Sequence, residues 1–405
     1  MEKPKIRFES FEKKWESYRL SEYSSYRRGS FPQPYGNKEW YGGNNAMPFV
    51  QVVDVLENLR LVVDTKQKIS TLAQPMSVFV PSNSVIVTLQ GSIGRVAITQ
   101  YDAYVDRTIL IFEDYISQTN KEFWAYTIRN KFEIERQKAP GGTIKTITKE
   151  ALSDFKVSIP SYSEQSAIGS LFRTLDNLLT SYKDNLTYYQ SLKATMLSKM
   201  FPKVGKTVPE IRLDGFKGEW ELLEINDLAD DFQSGGTPKT NVKEYWNGDI
   251  PWIQSSDLET NCLFEIKVQK SISEKGLKNS SAKIIPKDSI AVVTRVGVGK
   301  LAVMRHEYAT SQDFLSLSNL KSNIEFTAYL LYRLLQKEVT QLQGTSIKGI
   351  TKVELLSKKV LIPSLPEQQA IGAYFSNLDN LIAAHQEKIS QLETLKKKLL
   401  QDMFI

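Results

Sequence analysis

Residues 159–202 return as residues 362–405 without a gap, and this duplication constrains the fold more than any other feature of the chain. Ile159-Pro-Ser-Tyr-Ser-Glu164-Gln165 reappears as Ile362-Pro-Ser-Leu-Pro-Glu367-Gln368 at a constant offset of 203 positions. Ala167-Ile168-Gly169 then matches Ala370-Ile371-Gly372, Leu175-Asp176-Asn177-Leu178 matches Leu378-Asp379-Asn380-Leu381, and Met200-Phe201 matches Met403-Phe404. About 18 of the 44 positions are identical, a density that marks an internal structural repeat.

Both copies read as long helices. Apolar residues recur at alternating steps of four and three: Ile168, Phe172, Leu175, Leu179, Tyr182, Leu186, Tyr189, and in the second copy Ile371, Phe375, Leu378, Ile382, His385, Ile389, Leu392. That 3.5-residue period is a coiled-coil seam. At 1.5 Å per residue, about 37 helical residues span roughly 55 Å. The nearest partner for each seam is the other copy, and the chain order lets the two helices lie antiparallel about a pseudo-two-fold axis. The alternative is that each helix packs on its own preceding segment.

Ahead of each helix the echo is fainter but ordered. Pro4-Lys-Ile-Arg7 with Phe11 and Trp15 matches Pro209-Glu-Ile-Arg212 with Phe216 and Trp220. Val87-Thr88 with Gly91, Gly94 and Arg95 matches Val293-Thr294 with Gly297, Gly299 and Lys300 after one inserted residue. Gly141 through Pro160 matches Gly344 through Pro363. The chain therefore reads head, helix, head, helix: residues 1–158, 159–202, 203–361 and 362–405. The connector Pro202-Lys-Val-Gly205-Lys-Thr-Val-Pro209 breaks the first helix, because Pro and Gly do not continue it. Within the heads, Ser77-Val-Phe-Val-Pro, Ser84-Val-Ile-Val-Thr-Leu, Lys283-Ile-Ile-Pro and Ser289-Ile-Ala-Val-Val-Thr are β-branched runs bounded by turn residues. Lys121–Arg129 and Thr327–Leu335 read as one helix in each head. The fold class expected is α+β: two strand-rich domains joined by two long antiparallel coiled-coil helices.

Charge is a weak guide to partners here. The excess of six positive charges falls entirely on residues 1–205, which hold 27 Lys and Arg against 21 Asp and Glu. No apolar run approaches the roughly 18 residues of a membrane span, no apolar signal core follows Met1-Glu2-Lys3-Pro4-Lys5, and a single cysteine, Cys262, fits a reducing cytoplasm. Catalytic chemistry is not legible. Two histidines and one cysteine cannot close a structural zinc site. His385 takes a seam position and His306 has no obvious carboxylate nearby. No phosphate loop of the Gly-x-x-x-x-Gly-Lys-Ser/Thr type occurs, and the glycines near 91–94 and 297–299 read as turns between strands. An Asn/Asp-Pro-Pro-Tyr/Phe box for gripping a flipped base is also missing. The chain reads as a non-enzyme that binds no metal and no cofactor itself.

Reading a base edge takes Arg, Lys, Asn or Gln, while phosphates take cations and hydroxyls. Loop-like sequence in the first head carries this mixture at Arg27, Arg28, Ser30, Gln33, Lys38, Gln90, Ser92, Arg95, Arg107 and Lys145. The second head offers Thr237, Lys239, Thr240, Gln254, Ser255, Thr294, Arg295, Lys300, Gln312, Asp313, Ser346 and Lys348. For any one of these a solvated loop is as good a reading, but recurrence in both heads favours contact. Trp40 and Trp246 read as core-edge packing, and Arg7 and Arg212 as structural.

With these residues in view, the chain resembles the specificity subunits of type I restriction-modification systems. The resemblance is carried by Gly344-Thr-Ser-Ile-Lys-Gly-Ile-Thr leading to Ile362-Pro-Ser-Leu-Pro-Glu-Gln-Gln-Ala-Ile, by Ser234-Gly-Gly-Thr-Pro-Lys, by Thr294-Arg295 with Gly297 and Lys300, and by Ser311-Gln-Asp313. It implies two target recognition domains, each reading one half of a split site on double-stranded DNA. It implies helices that serve as spacer and as docking surface for two methyltransferase subunits bearing S-adenosylmethionine, with two restriction subunits bringing ATP and Mg. Glu164, Gln165, Ile168, Phe172, Leu175, Tyr182, Tyr189, Glu367, Gln368, Ile371, Phe375, Leu378, His385 and Leu392 would form that spacer and partner surface. The first copy departs from the family pattern in two places, with Ser163 in place of Pro366 and Arg107 in place of Gln312. The loops differ between heads, so an asymmetric bipartite target is expected. The rival readings are a coiled-coil adaptor whose heads bind proteins and a fused self-sufficient methyltransferase.

Overall fold

The computed structural model describes residues 4–138, 152–264, 266–341 and 349–404. The chain forms two compact units, Met1–Asp184 with Glu387–Ile405, and Asn185–Gln386. The units cut across the division into heads and helices. Each holds one head, the start of the helix that follows it and the end of the other helix.

In the first unit, one antiparallel sheet has the order Ser24–Arg28, Ile109–Tyr115, Val85–Thr88, Val96–Ile98. A second sheet runs Gln67–Ile69, Met47–Val50, Ala103–Val105, Val78–Val80, with its middle pair parallel. Between them lies a core of Val50, Val80, Ile86, Ala97, Val105, Ile109 and Ile111. In the second unit the first sheet repeats as Ala229–Ser234, Phe314–Leu320, Ser289–Val293, Leu301–Met304. Ser289–Val293 is buried along its whole length, which explains its unbroken apolar run. Ala291 and Val293 face one core with Ile253, while Ile290 and Val292 pack with Phe326 and Tyr329 of the helix Ile324–Gln341.

The expected strand at Lys283–Pro286 shrinks to one bridge, Ile285 to Tyr308. The carbonyl of Thr310, which would continue that ladder, accepts instead from the Gly236 amide at 2.8 Å. The smaller sheet of this head therefore has three strands, Lys270–Ile272, Trp246–Ile253 and Ala309–Thr310.

Sheet register corrects one sequence match. Val87 lies opposite Val96 and Leu110, while Val292 lies opposite Leu301 and Leu315. Val87 is thus the counterpart of Val292, not of Val293. It follows that Leu89 corresponds to Thr294 and Gln90 to Arg295. Hydrogen bonds agree, since Leu89 donates its amide to Thr108 at 2.8 Å and Thr294 donates its amide to Asp313 at 2.7 Å.

The long helices run Tyr162–Lys199 and Leu365–Asp402, 38 residues each. Their starts are fastened by the duplicated Glu-Gln pair. Arg7 forks onto Glu164 at 2.7 and 2.8 Å, and Arg212 onto Glu367 at 2.8 and 2.7 Å. Gln165 accepts from the Asn120 amide and donates to the Pro160 carbonyl, both at 3.0 Å; Gln368 repeats this with Asn323 and Pro363, both at 2.9 Å. Asn120 and Asn323 in turn cap the head helices Lys121–Lys138 and Ile324–Gln341 through the amides of Phe123 and Phe326. The lone early glycine of each helix is explained here. A Cβ on Gly169 would lie 2.5 Å from Asn120 Oδ1, and one on Gly372 would lie 2.6 Å from Asn323 Oδ1.

Within each unit the two helix portions are antiparallel. In the first, Lys183 pairs with Glu393 at 2.7 Å and Lys396 pairs with Asp176. In the second, Lys193 pairs with Asp379, and the Tyr189 and His385 rings meet edge to face at 5.2 Å. The seam is not a simple two-helix zipper. Ile168, Phe172 and Leu175 are buried, as are Ile371, Phe375, Leu378 and Leu392, but Tyr182, Tyr189 and His385 are half-exposed. At Phe172 and Phe375 a head helix adds to the cover: Tyr126 lies 4.8 Å from Phe172 and Tyr329 lies 5.0 Å from Phe375.

Candidate nucleic-acid interface

In the second head the turns at one end of the larger sheet surround a cleft of about 860 Å³. Its walls include Ser234 and Gly235 after the first strand, Thr294 to Val298 after the middle strand, Gln312 before Phe314, and Gly349 to Lys352. Close backbone approach builds this shape. A Cβ on Gly235 would lie 2.3 Å from the Thr310 carbonyl, and one on Gly349 would lie 2.5 Å from that of Thr294. The Ile350 amide donates to the Thr294 carbonyl at 2.7 Å, fixing the returning chain against the Arg295 turn.

Of the residues anticipated in this head, the structure brings Arg295 and Gln312 together with the buried Thr294 on this cleft. Arg295 is exposed and makes no ion pair among the described residues. Thr237 donates to the Gln312 side-chain oxygen at 2.5 Å, which fixes the amide by its acceptor end. Lys239 and Thr240 are exposed on the neighbouring loop.

Several expectations need correction. Thr294 is buried, its hydroxyl donating to the Asp313 carbonyl at 3.1 Å, so it holds the turn instead of facing a ligand. Lys300 donates to the carbonyls of Leu258 at 2.7 Å and Ser255 at 3.3 Å, which makes it an internal tether. Asp313 is half-buried and bonded to Ser311. Gln254 accepts from Lys270 at 3.2 Å, and Ser255 is half-buried in the short turn Ser255–Asp257.

In the first head, Arg28, Gln33, Lys38, Gln90, Ser92 and Arg107 are exposed. Arg27 is paired with Glu113 at 2.6 Å, and Ser30 donates to the Met76 carbonyl at 3.1 Å. Arg95, the counterpart of Lys300, is likewise drawn inward, donating at 3.4 Å to the Val55 carbonyl and to Glu57. Arg107 lies 5.3 Å from the centre of the Tyr35 ring. Burial first and Asp106 second push the Tyr35 phenol up, keeping it a donor to Asp106 at 2.6 Å. Gly91 and Gly94 give the Gln90 turn its positive φ values of 67° and 80°. Lys145, Ser346 and Lys348 lie outside the described residues.

The structural readings of other residues hold. Arg7 and Arg212 clamp the helix starts as described above, Trp40 packs beside Phe31 and Phe49, and Trp246 meets Trp252 edge to face at 5.0 Å. Glu164, Gln165, Glu367 and Gln368 are buried clamps, so they cannot present a docking surface. Apolar side chains that do remain exposed on the helices are Tyr162, Leu178, Tyr188, Leu365, Leu381 and Leu395. Ser234, Thr351 and Lys352 also line the cleft and were not among the anticipated contacts, although Ser234 and Thr351 stand in the stretches that carry the family resemblance. Among the described residues no three His, Cys, Asp or Glu side chains converge, and no helix is long and apolar enough to cross a membrane.

Comparison with known proteins matches the duplicated fold. The profile of the type I restriction modification DNA specificity domain matches twice, over residues 12–188 and 217–394. The specificity subunit of type I restriction enzyme MjaIX from Methanocaldococcus jannaschii is 29% identical over 194 residues, which is 46% of this chain and 44% of that protein. The MjaVIII specificity subunit of the same organism is 21% identical over 402 residues, 95% of this chain and 91% of that one. The matched stretches thus span 44% of the MjaIX subunit, 60% of the putative MjaX specificity subunit of the same organism and 91% of the MjaVIII subunit. Among solved structures, the type I restriction-modification S subunit from M. genitalium superposes with a TM-score of 0.65 at 15% identity, covering 100% of this chain and 99% of that one. A chain from a structure of the type I R-M system, described for its complex assembly and conformational transition, gives 0.54 at 17% identity over 96% and 97%.

Proposed function

The chain belongs to the type I restriction-modification DNA specificity family, and we propose that it is the non-catalytic subunit that reads a bipartite, asymmetric DNA target. In this reading each head reads one half-site through its loops, and the paired helices set the unread gap. The helices also dock two methyltransferase subunits, which bring S-adenosylmethionine; two restriction subunits then join with ATP and Mg. The exposed apolar side chains of the helices, Leu178, Tyr188, Leu381 and Leu395 along their length and Tyr162 and Leu365 at their starts, are available for such docking.

One observation carries the reading. Two heads with the same sheet register carry different exposed side chains at the same turns, as two readers of different half-sites require. Groups suited to base edges, Gln90 and Arg107 in one head and Arg295 and Gln312 in the other, stand on those turns.

Binding of the full chain to duplex DNA at increasing salt tests it. Phosphate contacts release counterions, so affinity should fall steeply, by about 10³-fold or more between 50 and 200 mM salt for six or more contacts. Affinity indifferent to salt, with tight binding to a protein instead, would favour the adaptor.

A further inference from the structure

We infer that the two heads read DNA with the same guanidinium and carboxamide pair, exchanged between two equivalent turns. The inference rests on the DNA-reading function proposed above and specifies how each head does it. In the first head the turn after Val85–Thr88 carries Gln90, and the turn before Ile109–Tyr115 carries Arg107. In the second head the corresponding turns, after Ser289–Val293 and before Phe314–Leu320, carry Arg295 and Gln312. The equivalence comes from backbone pairing, not from residue similarity. Leu89 to Thr108 and Thr294 to Asp313 are the same hydrogen bond, and each reading residue is the next one outward on its strand. The same register holds one step further out, where Asp106 donates its amide to Val50 at 3.0 Å and Ser311 donates its amide to Ile253 at 2.9 Å.

All four side chains are exposed, and in the second head the pair lines one cleft. Each head also steadies the residue on its second turn, by the Tyr35 ring under Arg107 and by the Thr237 hydroxyl on Gln312. A residue held in one orientation discriminates between bases better than one free to rotate.

Chemistry then assigns the bases. A guanidinium forks onto guanine O6 and N7, and a carboxamide bridges adenine N6 and N7. Because the turns are equivalent, each addresses the same step of the groove relative to its own head. The step read as guanine by one head is therefore read as adenine by the other.

The test is selection from random duplexes by the full chain purified with methyltransferase subunits, followed by sequencing of the bound DNA. Wild type should enrich a split site with one guanine and one adenine preference per half. The double variant Gln90→Arg, Arg107→Gln should exchange those two preferences in one half-site, each by about 10-fold or more, and leave the other half unchanged. The reverse variant, Arg295→Gln with Gln312→Arg, should do the same in the other half. A split site that neither variant alters, or variants that weaken all duplexes equally, would overturn the exchange while leaving the DNA-reading function intact. No enriched sequence with wild type would remove both.

Discussion

The Asp176, Lys396 and Tyr126 side chains form a largely buried cluster, and Asp379, Lys193 and Tyr329 repeat it in the other unit. In each, the lysine ammonium and the tyrosine hydroxyl both donate to one carboxylate, and the ammonium also lies 5.4 or 5.5 Å from the phenol ring centre. Burial lowers the Lys396 pKa, with Asp176 opposing the change. Removing the carboxylate strands a buried cation, so Asp176→Asn should cost about 2 to 4 kcal/mol, discounted from a fully buried pair because both partners keep slight exposure. Urea denaturation measures this, and a loss under about 0.5 kcal/mol would refute the account. The phenols give a pH prediction. Burial first, then Asp176 or Asp379, raises the pKa of Tyr126 and Tyr329 above the ordinary tyrosine value near 10. Their stabilisation is complete below about pH 10 and is lost as pH rises through the elevated folded values. Thermal midpoints of wild type should therefore fall above pH 10, and those of a Tyr126→Phe, Tyr329→Phe double variant should fall less steeply. Identical slopes would contradict it. None of this was legible from sequence. Asp176 and Asp379 showed as repeated residues, but a repeat does not reveal which lysine on a distant stretch meets them.

At the scale of elements, the helices, their antiparallel pairing and the main strands could be read from periodicity and turn residues. Three things could not. The Glu-Gln pair at each helix start looked like surface, because fork pairing with Arg7 or Arg212 is set by tertiary approach. The strand at Lys283–Pro286 was lost to a competing hydrogen bond from Gly236. The turn equivalence was misplaced by one residue, because Val87-Thr88 resembles Val293-Thr294 more than it resembles its true partner, Val292-Val293. Gly169 offers a test of the close approach at the helix starts. Gly169→Val should destabilise by about 1 to 3 kcal/mol through overpacking against Asn120, measured by urea denaturation. The spacing proposal belongs to this scale too. Four residues inserted after Asn185 and four after Lys388 lengthen both helices by about 6 Å. The recognised gap should then grow by one or two base pairs of about 3.4 Å each, as read from the selected DNA. An unchanged gap in a folded variant would contradict the ruler.

For the whole molecule, two heads that share a sheet register but differ in their loops form two similar halves, as the proposed reading of an asymmetric target requires. Charge contributed little to that view: the excess positive charge sits in the first half, yet the cleft beside Arg295 lies in the second head. Function was legible chiefly through the repeat and the family resemblance. The individual contacts were not, because Arg95 and Lys300 look like DNA ligands in sequence and prove to be tethered inward. The most direct measurement is genome-wide mapping of adenine methylation, by single-molecule sequencing, in cells carrying the methyltransferase subunit with and without this chain. The account predicts one split, asymmetric motif that appears only when the chain is present. Methylation without a motif, or a motif that persists without the chain, would contradict it.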